Sequence, residues 1–188
     1  VVFLKGDVEM GDKRLIRERV LHNLNDMDKV EHRERSIKLA EKLFQLPEWK
    51  NAKVIGLTLA RHPEIETETI ILQAKKEGKT VLIPKTYYPS RKMDFKIMNS
   101  VHPLIKSKFG ILEPNEHTET VNKEKIDLLL VPGVVFNKAH FRIGFGGGFY
   151  DRFLIDFKGV TVSLCFYEQQ QEFVPESHDK SVSILIEG

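Results

Sequence analysis

The run Arg142-Ile143-Gly144-Phe145-Gly146-Gly147-Gly148-Phe149-Tyr150-Asp151-Arg152 concentrates the residue types that do chemistry in this chain. Its glycines let the backbone take positive φ and let a ligand approach the main chain closely. A helix is expected to start just behind them, and a helix N-terminus offers free N–H groups and a positive dipole end to an anion. Arg142 and Arg152 bracket the run with permanent cations suited to phosphate oxygens. Asp151 supplies a hard oxygen ligand of the kind Mg2+ takes. Phe145, Phe149 and Tyr150 add flat surfaces that pack against a ring system. The same aromatics, Phe153 above all, also serve ordinary cores. The run is not a Walker A loop, because no Lys-Ser or Lys-Thr follows, and not a dinucleotide fingerprint, because Phe149 stands where the third glycine belongs. Glycine clusters also make plain tight turns. Residue types alone therefore leave a phosphate cradle and a structural turn both open.

A cradle needs a frame. The apolar spacing predicts helices over 13–25 (Leu15, Ile16, Val20 and Leu24 on the stripe), 31–46 (Ile37, Ala40, Leu43 and Phe44, ended by Pro47) and 67–77 (Ile70, Ile71 and Ala74, ended by Gly78). Continuous apolar runs predict strands over 53–60, 80–84, 126–131, 160–166 and 182–186, and alternation predicts another over 94–98. Residues 87–92 and 114–123 read as loops, and a short helix carrying Tyr150, Phe153 and Leu154 follows Gly148. Helices alternating with wholly apolar strands argue for an α/β fold: a three-layer α/β/α single domain with a mainly parallel sheet. Residues 13–188 form that domain, and 1–12 read as a leader or extension. In such sheets ligands bind beyond the carboxyl ends of the strands, which is where the glycine run falls.

Composition bounds the answer. With 188 residues, 41% hydrophobic and 30% charged, the chain belongs with globular proteins rather than disordered ones. A net charge of +2 is too small to argue for nucleic acid. The sequence has no apolar run near the ~20 residues that span a bilayer and no signal-peptide pattern. One cysteine, Cys165, excludes an internal disulfide and suits a reducing cytosol. It lies in the apolar run 160–166 and reads as a buried small hydrophobe.

The wording of the chain adds to this. Leu130-Val131-Pro132-Gly133-Val134-Val135-Phe136, followed by the block from Phe141 to Leu154, closely resembles the 5-formyltetrahydrofolate cyclo-ligase (methenyltetrahydrofolate synthetase) family. Shorter pieces match in the same order: Lys13-Arg14-Leu15-Ile16-Arg17, Glu64-Ile65-Glu66-Thr67, Gly110-Ile111-Leu112-Glu113-Pro114 and His178-Asp179. Phe149 replaces a usual tyrosine, and His140-Phe141 stands where Gly-Tyr is common, so neither departure removes a charge.

The resemblance implies a cytoplasmic enzyme that uses ATP as co-substrate and Mg2+ to turn 5-formyltetrahydrofolate into 5,10-methenyltetrahydrofolate, releasing ADP and phosphate. It implies that Lys13, Arg14, Leu15, Ile16 and Arg17 meet ATP together with Arg142, Ile143, Gly144, Phe145, Gly146, Gly147, Gly148, Phe149 and Tyr150. Arg142, Tyr150 and Lys13 are the implied catalytic residues. Arg61, Glu66 and the stretch Phe145, Gly146, Gly147, Gly148, Phe149 would border the folate, with the Glu66 carboxylate accepting N–H bonds from the pterin. Asp151 and Asp179 would hold Mg2+. The implied partners are small molecules, with no nucleic acid and no membrane, and the expected state is a monomer. Two other classes share features with this reading: a nucleotide-sensing module that kept the loop but not turnover, and a sugar-phosphate isomerase or CoA-transferase-like enzyme on the same architecture.

Overall fold

The computed structural model describes residues 12–107 and 110–188. Residues 1–11 lie outside them, so the expected leader is described only at Asp12. In chain order the elements are α1 (Lys13–Asp26), α2 (Lys29–Gln45), α3 (Pro47–Asn51), β1 (Val54–Gly56), α4 (Glu68–Lys76), β2 (Thr80–Tyr87), β3 (Lys92–Ile97), β4 (Ile105–Lys106), β5 (Leu112–Glu113) and β6 (Thr120–Val121). They continue with β7 (Leu128–Leu130), β8 (Val135–Phe136), β9 (Arg142–Ile143), α5 (Phe149–Phe153), β10 (Val160–Cys165) and β11 (Ile184–Glu187).

A seven-stranded sheet runs in the order β11-β10-β7-β1-β2-β3-β6. The pairs from β11 to β2 are parallel, and β3 and β6 join antiparallel at one edge. Successive side chains of a strand face opposite sides. Ile55, Val81, Leu128, Leu130, Val162 and Leu164 accordingly pack with Ile16, Val20, Leu39, Leu43, Trp49 and Ile70 of the first four helices. Val54, Leu82 and Leu129 pack on the other face with Phe95, Phe149, Tyr150 and Phe153. These are the three α/β/α layers, the second helical layer being thin because α5 has only five residues.

Local chemistry explains where elements start and stop. The Asp12 carboxylate caps α1 by accepting from the Arg14 N–H at 2.9 Å. Ile16, Val20 and Leu24, four residues apart, form the buried face of α1, whereas Leu15 is 56% exposed. Pro47 ends α2 as expected, but it also opens α3 from its first position, where a missing N–H costs no hydrogen bond. The strand expected over 53–60 is realised only over Val54–Gly56. The one expected over 80–84 runs on to Tyr87, because β3 folds back on it in register from Leu82–Ile97 to Tyr87–Lys92. Thr120–Val121, expected as loop, pairs with Phe95 and Lys96 as the edge strand. Cys165 is fully buried, and burial pushes its thiol up to about 12.

Candidate active site

The loops behind β1, β2, β7 and β9 enclose a cavity of about 730 Å3 at the carboxyl ends of the parallel strands, within the size range of small-molecule sites. Its walls come from α1, from the stretch between β1 and α4, from β2, from the segment carrying β5, from the glycine run and from the loop at Glu176–Asp179. Residues more than 160 positions apart in sequence therefore meet there, as Lys13 and Asp179 do.

The glycine run supplies one wall. Gly146 and Gly148 take φ of +93° and +65°, where a side chain is strained. Gly148 is also the residue from which α5 starts. A Cβ there would stand 2.6 Å from Arg152 Nη1. Arg152 itself donates to the Gly148 carbonyl at 3.0 Å and does not line the cavity, so it braces the loop instead of bracketing a phosphate. Because α5 is so short, its dipole is modest, and the cations that line the cavity, Lys13, Arg14, Arg17 and Arg142, are the stronger source of positive potential there.

Helix α1 supplies the facing cations. Lys13, Arg14 and Arg17 line the cavity. Leu15 and Ile16, grouped with them in sequence, do not: the helix turn sends Ile16 into the core at 3% exposure and leaves Leu15 on the outside. Arg17 reaches the glycine run, with Nη1 3.4 Å from where a Cβ on Gly146 would sit, and its buried Nε has no hydrogen-bond partner among the described residues. Lys13 Nζ bonds to Asp179 Oδ2 at 2.6 Å and Glu176 Oε1 at 2.9 Å. Burial works against the Lys13 ammonium, but its bonds to Asp179 and Glu176 outweigh that and hold its pKa above the ordinary value. For Asp179, burial pushes the other way too, yet Lys13 and the Glu176 N–H bring the carboxyl below its usual range.

Arg142 lies beneath the loop, 5% exposed. It donates through Nη2 to Asp151 Oδ1 at 3.1 Å and through Nη1 to the Lys180 carbonyl at 2.7 Å. The Lys180 N–H returns to Asp151 Oδ1 at 3.2 Å. Burial lowers the pKa of the guanidinium and the Asp151 charge opposes that, so the group stays cationic. The Tyr150 hydroxyl is buried with no partner among the described residues. Burial and the Glu64 charge raise its pKa, against Arg142, so it remains a phenol that can donate.

Glu66 is the carboxylate expected to meet the pterin. Glu66 does not line the cavity, and its N–H is tied to Ser36 Oγ on α2 at 3.2 Å. Glu64 lines it instead. Arg61 N donates to Glu64 Oε2 at 3.1 Å, which leaves Oε1 available. Burial raises the Glu64 pKa, partly offset by Arg61. Arg61 also lines the cavity. Tyr88, Thr86 and Glu113 line it without having been singled out. Thr86 Oγ1 donates to Glu113 Oε1 at 2.5 Å, and Tyr88 meets Phe149 edge-on at 4.9 Å between centroids. The signal for Glu113 was present in the piece Gly110-Ile111-Leu112-Glu113-Pro114. Nothing in the sequence pointed to Tyr88. Phe145 stands at the mouth, 52% exposed.

Asp151 and Asp179 both line the cavity. Asp151 Oδ2 takes no hydrogen bond from the described residues, and Asp179 Oδ1 has only His178 Nε2 at 3.8 Å. No group of three or more His, Cys, Asp or Glu among the described residues could enclose a metal. Two carboxylates with free oxygens suit Mg2+, which binds through one or two carboxylates plus substrate phosphates.

The family model for the 5-formyltetrahydrofolate cyclo-ligase family matches residues 9–187. The chain belongs to this family. The cyclo-ligase of Mus musculus is 31% identical over 93% of this chain and 92% of its own length. That of Haemophilus influenzae is 32% identical over 72% and 75%. The NMR structure of 5,10-methenyltetrahydrofolate synthetase from Aquifex aeolicus superposes with a TM-score of 0.81 at 32% identity, covering 93% of this chain and 89% of that one. The chain is therefore an enzyme of the cyclo-ligase family on the α/β fold of its relatives. None of the helices among its described residues is long and apolar enough to cross a membrane.

Proposed function

We propose that this chain converts 5-formyltetrahydrofolate to 5,10-methenyltetrahydrofolate with ATP and Mg2+, releasing ADP and phosphate. One observation carries the reading. Lys13, Arg17, Arg142, Asp151 and Asp179 converge with the glycine run on the same cavity as Glu64 and Tyr150, so phosphate-binding and ring-binding groups share one space. A nucleotide-sensing module needs the first set but not a half-buried carboxylate for a second ligand.

The N5-formyl group is an amide, and its oxygen leaves poorly. That oxygen attacks the γ-phosphorus of ATP and ADP departs. The N10 lone pair then attacks the formyl carbon, N10 loses its proton, the C–O bond breaks and phosphate leaves. Phosphoryl transfer asks the protein for positioning and charge neutralisation rather than a nucleophile. Lys13, Arg17 and Arg142 neutralise the phosphates, and the backbone N–H groups from Gly144 to Phe149 cradle them. Asp151 and Asp179 would hold Mg2+ together with the nucleotide, and the ion would add charge neutralisation at the phosphates. The Tyr150 phenol donates to an oxygen of the reacting group. Glu64 takes the role expected of Glu66 and accepts N–H bonds from the pterin through Oε1. Arg61 and the rings of Phe145 and Phe149 border the rest of the folate. One chain supplies every one of these groups, so the working unit is the monomer, with residues 13–188 acting as a single domain in the cytoplasm.

The test is direct. Purified protein with MgATP and 5-formyltetrahydrofolate should generate the near-ultraviolet absorbance of the methenyl product, and should not do so when ATP is omitted. Folded protein that yields no such signal refutes the reading.

A further inference from the structure

The carboxylate of Glu64 sits in a loop, and loops hold a side chain in place only if something holds the loop. Residues 57–67 leave the sheet after β1 and return at α4. Thr67 fastens the two ends together: its Oγ1 donates to the Thr58 carbonyl at 2.8 Å and accepts from the Ala60 N–H at 3.1 Å. The middle of the loop is fastened from behind, by α2. His32, 2% exposed, places Nε2 3.2 Å from the Pro63 carbonyl. A carbonyl can only accept, so Nε2 carries the hydrogen. The ring is wedged edge-on between His62 and Phe166, with centroids at 5.1 and 5.2 Å. One helical turn on, Ser36, 1% exposed, donates to the His32 carbonyl at 2.8 Å and accepts from the Glu66 N–H at 3.2 Å. Glu64 lies between these two attachment points.

We propose that His32 and Ser36 are positioning residues for folate recognition: two buried polar side chains on α2 that hold the loop so that the Glu64 carboxylate faces the cavity. Neither lines the cavity. Both are buried and polar where the inward face of α2 otherwise carries Leu39, Ala40 and Leu43. A polar group in such a place is costly unless bonded, and the bonds these two make to the loop end on the backbone on either side of Glu64. The inference rests on reading Glu64 as the folate carboxylate.

The distinguishing measurement is the separation of Michaelis constants. His32→Phe keeps a ring without the donor, Ser36→Ala removes the acceptor, and His32→Gln offers a donor at a similar reach. In His32→Phe and Ser36→Ala the KM for 5-formyltetrahydrofolate should rise about tenfold, the effect expected when a buried hydrogen bond is lost. The KM for ATP and kcat should stay within about twofold of the parent value, and His32→Gln should recover most of the folate affinity. Glu64→Gln is measured beside them. If it raises the folate KM while folded His32→Phe and Ser36→Ala do not, the positioning role is wrong and the Glu64 reading stands. If Glu64→Gln leaves the folate KM unchanged, the Glu64 reading fails and takes the positioning role with it. Parallel losses in the ATP KM and kcat would make the two residues general scaffold and overturn the inference. Should His32→Phe not fold, Ser36→Ala and direct titration of 5-formyltetrahydrofolate against folded His32→Gln decide.

Discussion

Replacing Asp151 separates the ion pair its side chain makes from the metal role proposed for it. Its Oδ1 accepts from Arg142 Nη2 at 3.1 Å and from the Lys180 N–H at 3.2 Å, while Oδ2 is free for a metal. Arg142 is 3% exposed at its side chain and Asp151 23%. Removing one partner of a buried pair costs ~3–5 kcal/mol because the other charge stays behind. Here the loss is smaller, since Asp151 is partly open to water and Arg142 keeps the Lys180 carbonyl at 2.7 Å; we expect about 2–3 kcal/mol for Asp151→Ala. A chain of this length loses roughly 2–4 °C of Tm per kcal/mol, so the melt should fall by about 4–12 °C. Asp151→Asn keeps an oxygen for both donors and loses only the charge, so its melt should fall by only about 2–4 °C, for roughly 1 kcal/mol. Activity should rank differently. If Asp151 holds Mg2+, both variants lose turnover steeply, and Asn is no better than Ala at limiting Mg2+. Thermal melts by circular dichroism and initial rates across a Mg2+ series give both rankings. An Asp151→Ala protein that melts with the parent would refute the ion-pair argument. Near-parental turnover at limiting Mg2+ would remove Asp151 from the metal site.

Three further outcomes follow from the same geometry. Burial holds the Glu64 carboxyl above its ordinary pKa, against the N–H and charge of Arg61. As pH falls through that raised value the carboxylate takes up a proton and stops accepting pterin N–H bonds, so the folate KM should climb on the acid side, and Glu64→Gln should flatten that limb. The unfolded chain ionises earlier, so stability drops as pH rises from the ordinary carboxyl pKa through the raised one; Glu64→Gln should therefore melt higher than the parent at neutral pH, and an unchanged or lower melt would count against a buried carboxylate. Gly148→Ala places a Cβ at a φ of +65° and 2.6 Å from Arg152 Nη1. A left-handed alanine costs about 1–2 kcal/mol, and the displaced loop should raise the KM for ATP more than that for folate, which steady-state kinetics with each substrate varied will show.

Much of this was legible in the linear chain because it depends on short-range rules. Ile16, Val20 and Leu24 announce the buried face of α1 by their spacing, and Gly78 ends α4 by its φ of +70°. Within the glycine run, Gly146 and Gly148 were legible because their positive φ disfavours side chains whatever surrounds them. The failures are equally specific. Leu15 and Ile16 were grouped with Lys13 and Arg17 as neighbours in sequence, but a helix turns about 100° per residue and sends each elsewhere. Arg152 looked like a phosphate ligand until its guanidinium was seen bonded to the Gly148 carbonyl.

The sequence by itself indicated the parallel α/β frame and the left-handed turns at Gly146 and Gly148, since these follow from residue types at fixed local spacing, and its wording carried the resemblance to the family. Only the tertiary structure decided which of two neighbouring carboxylates lines the cavity. Glu64 and Glu66 are the same residue type two positions apart in a loop, so no periodicity tells them apart. The Ser36 hydroxyl on α2 holds Glu66 by its N–H, and Glu64 is left lining the cavity. That choice is made by contacts about 30 residues away in sequence, which local rules do not reach.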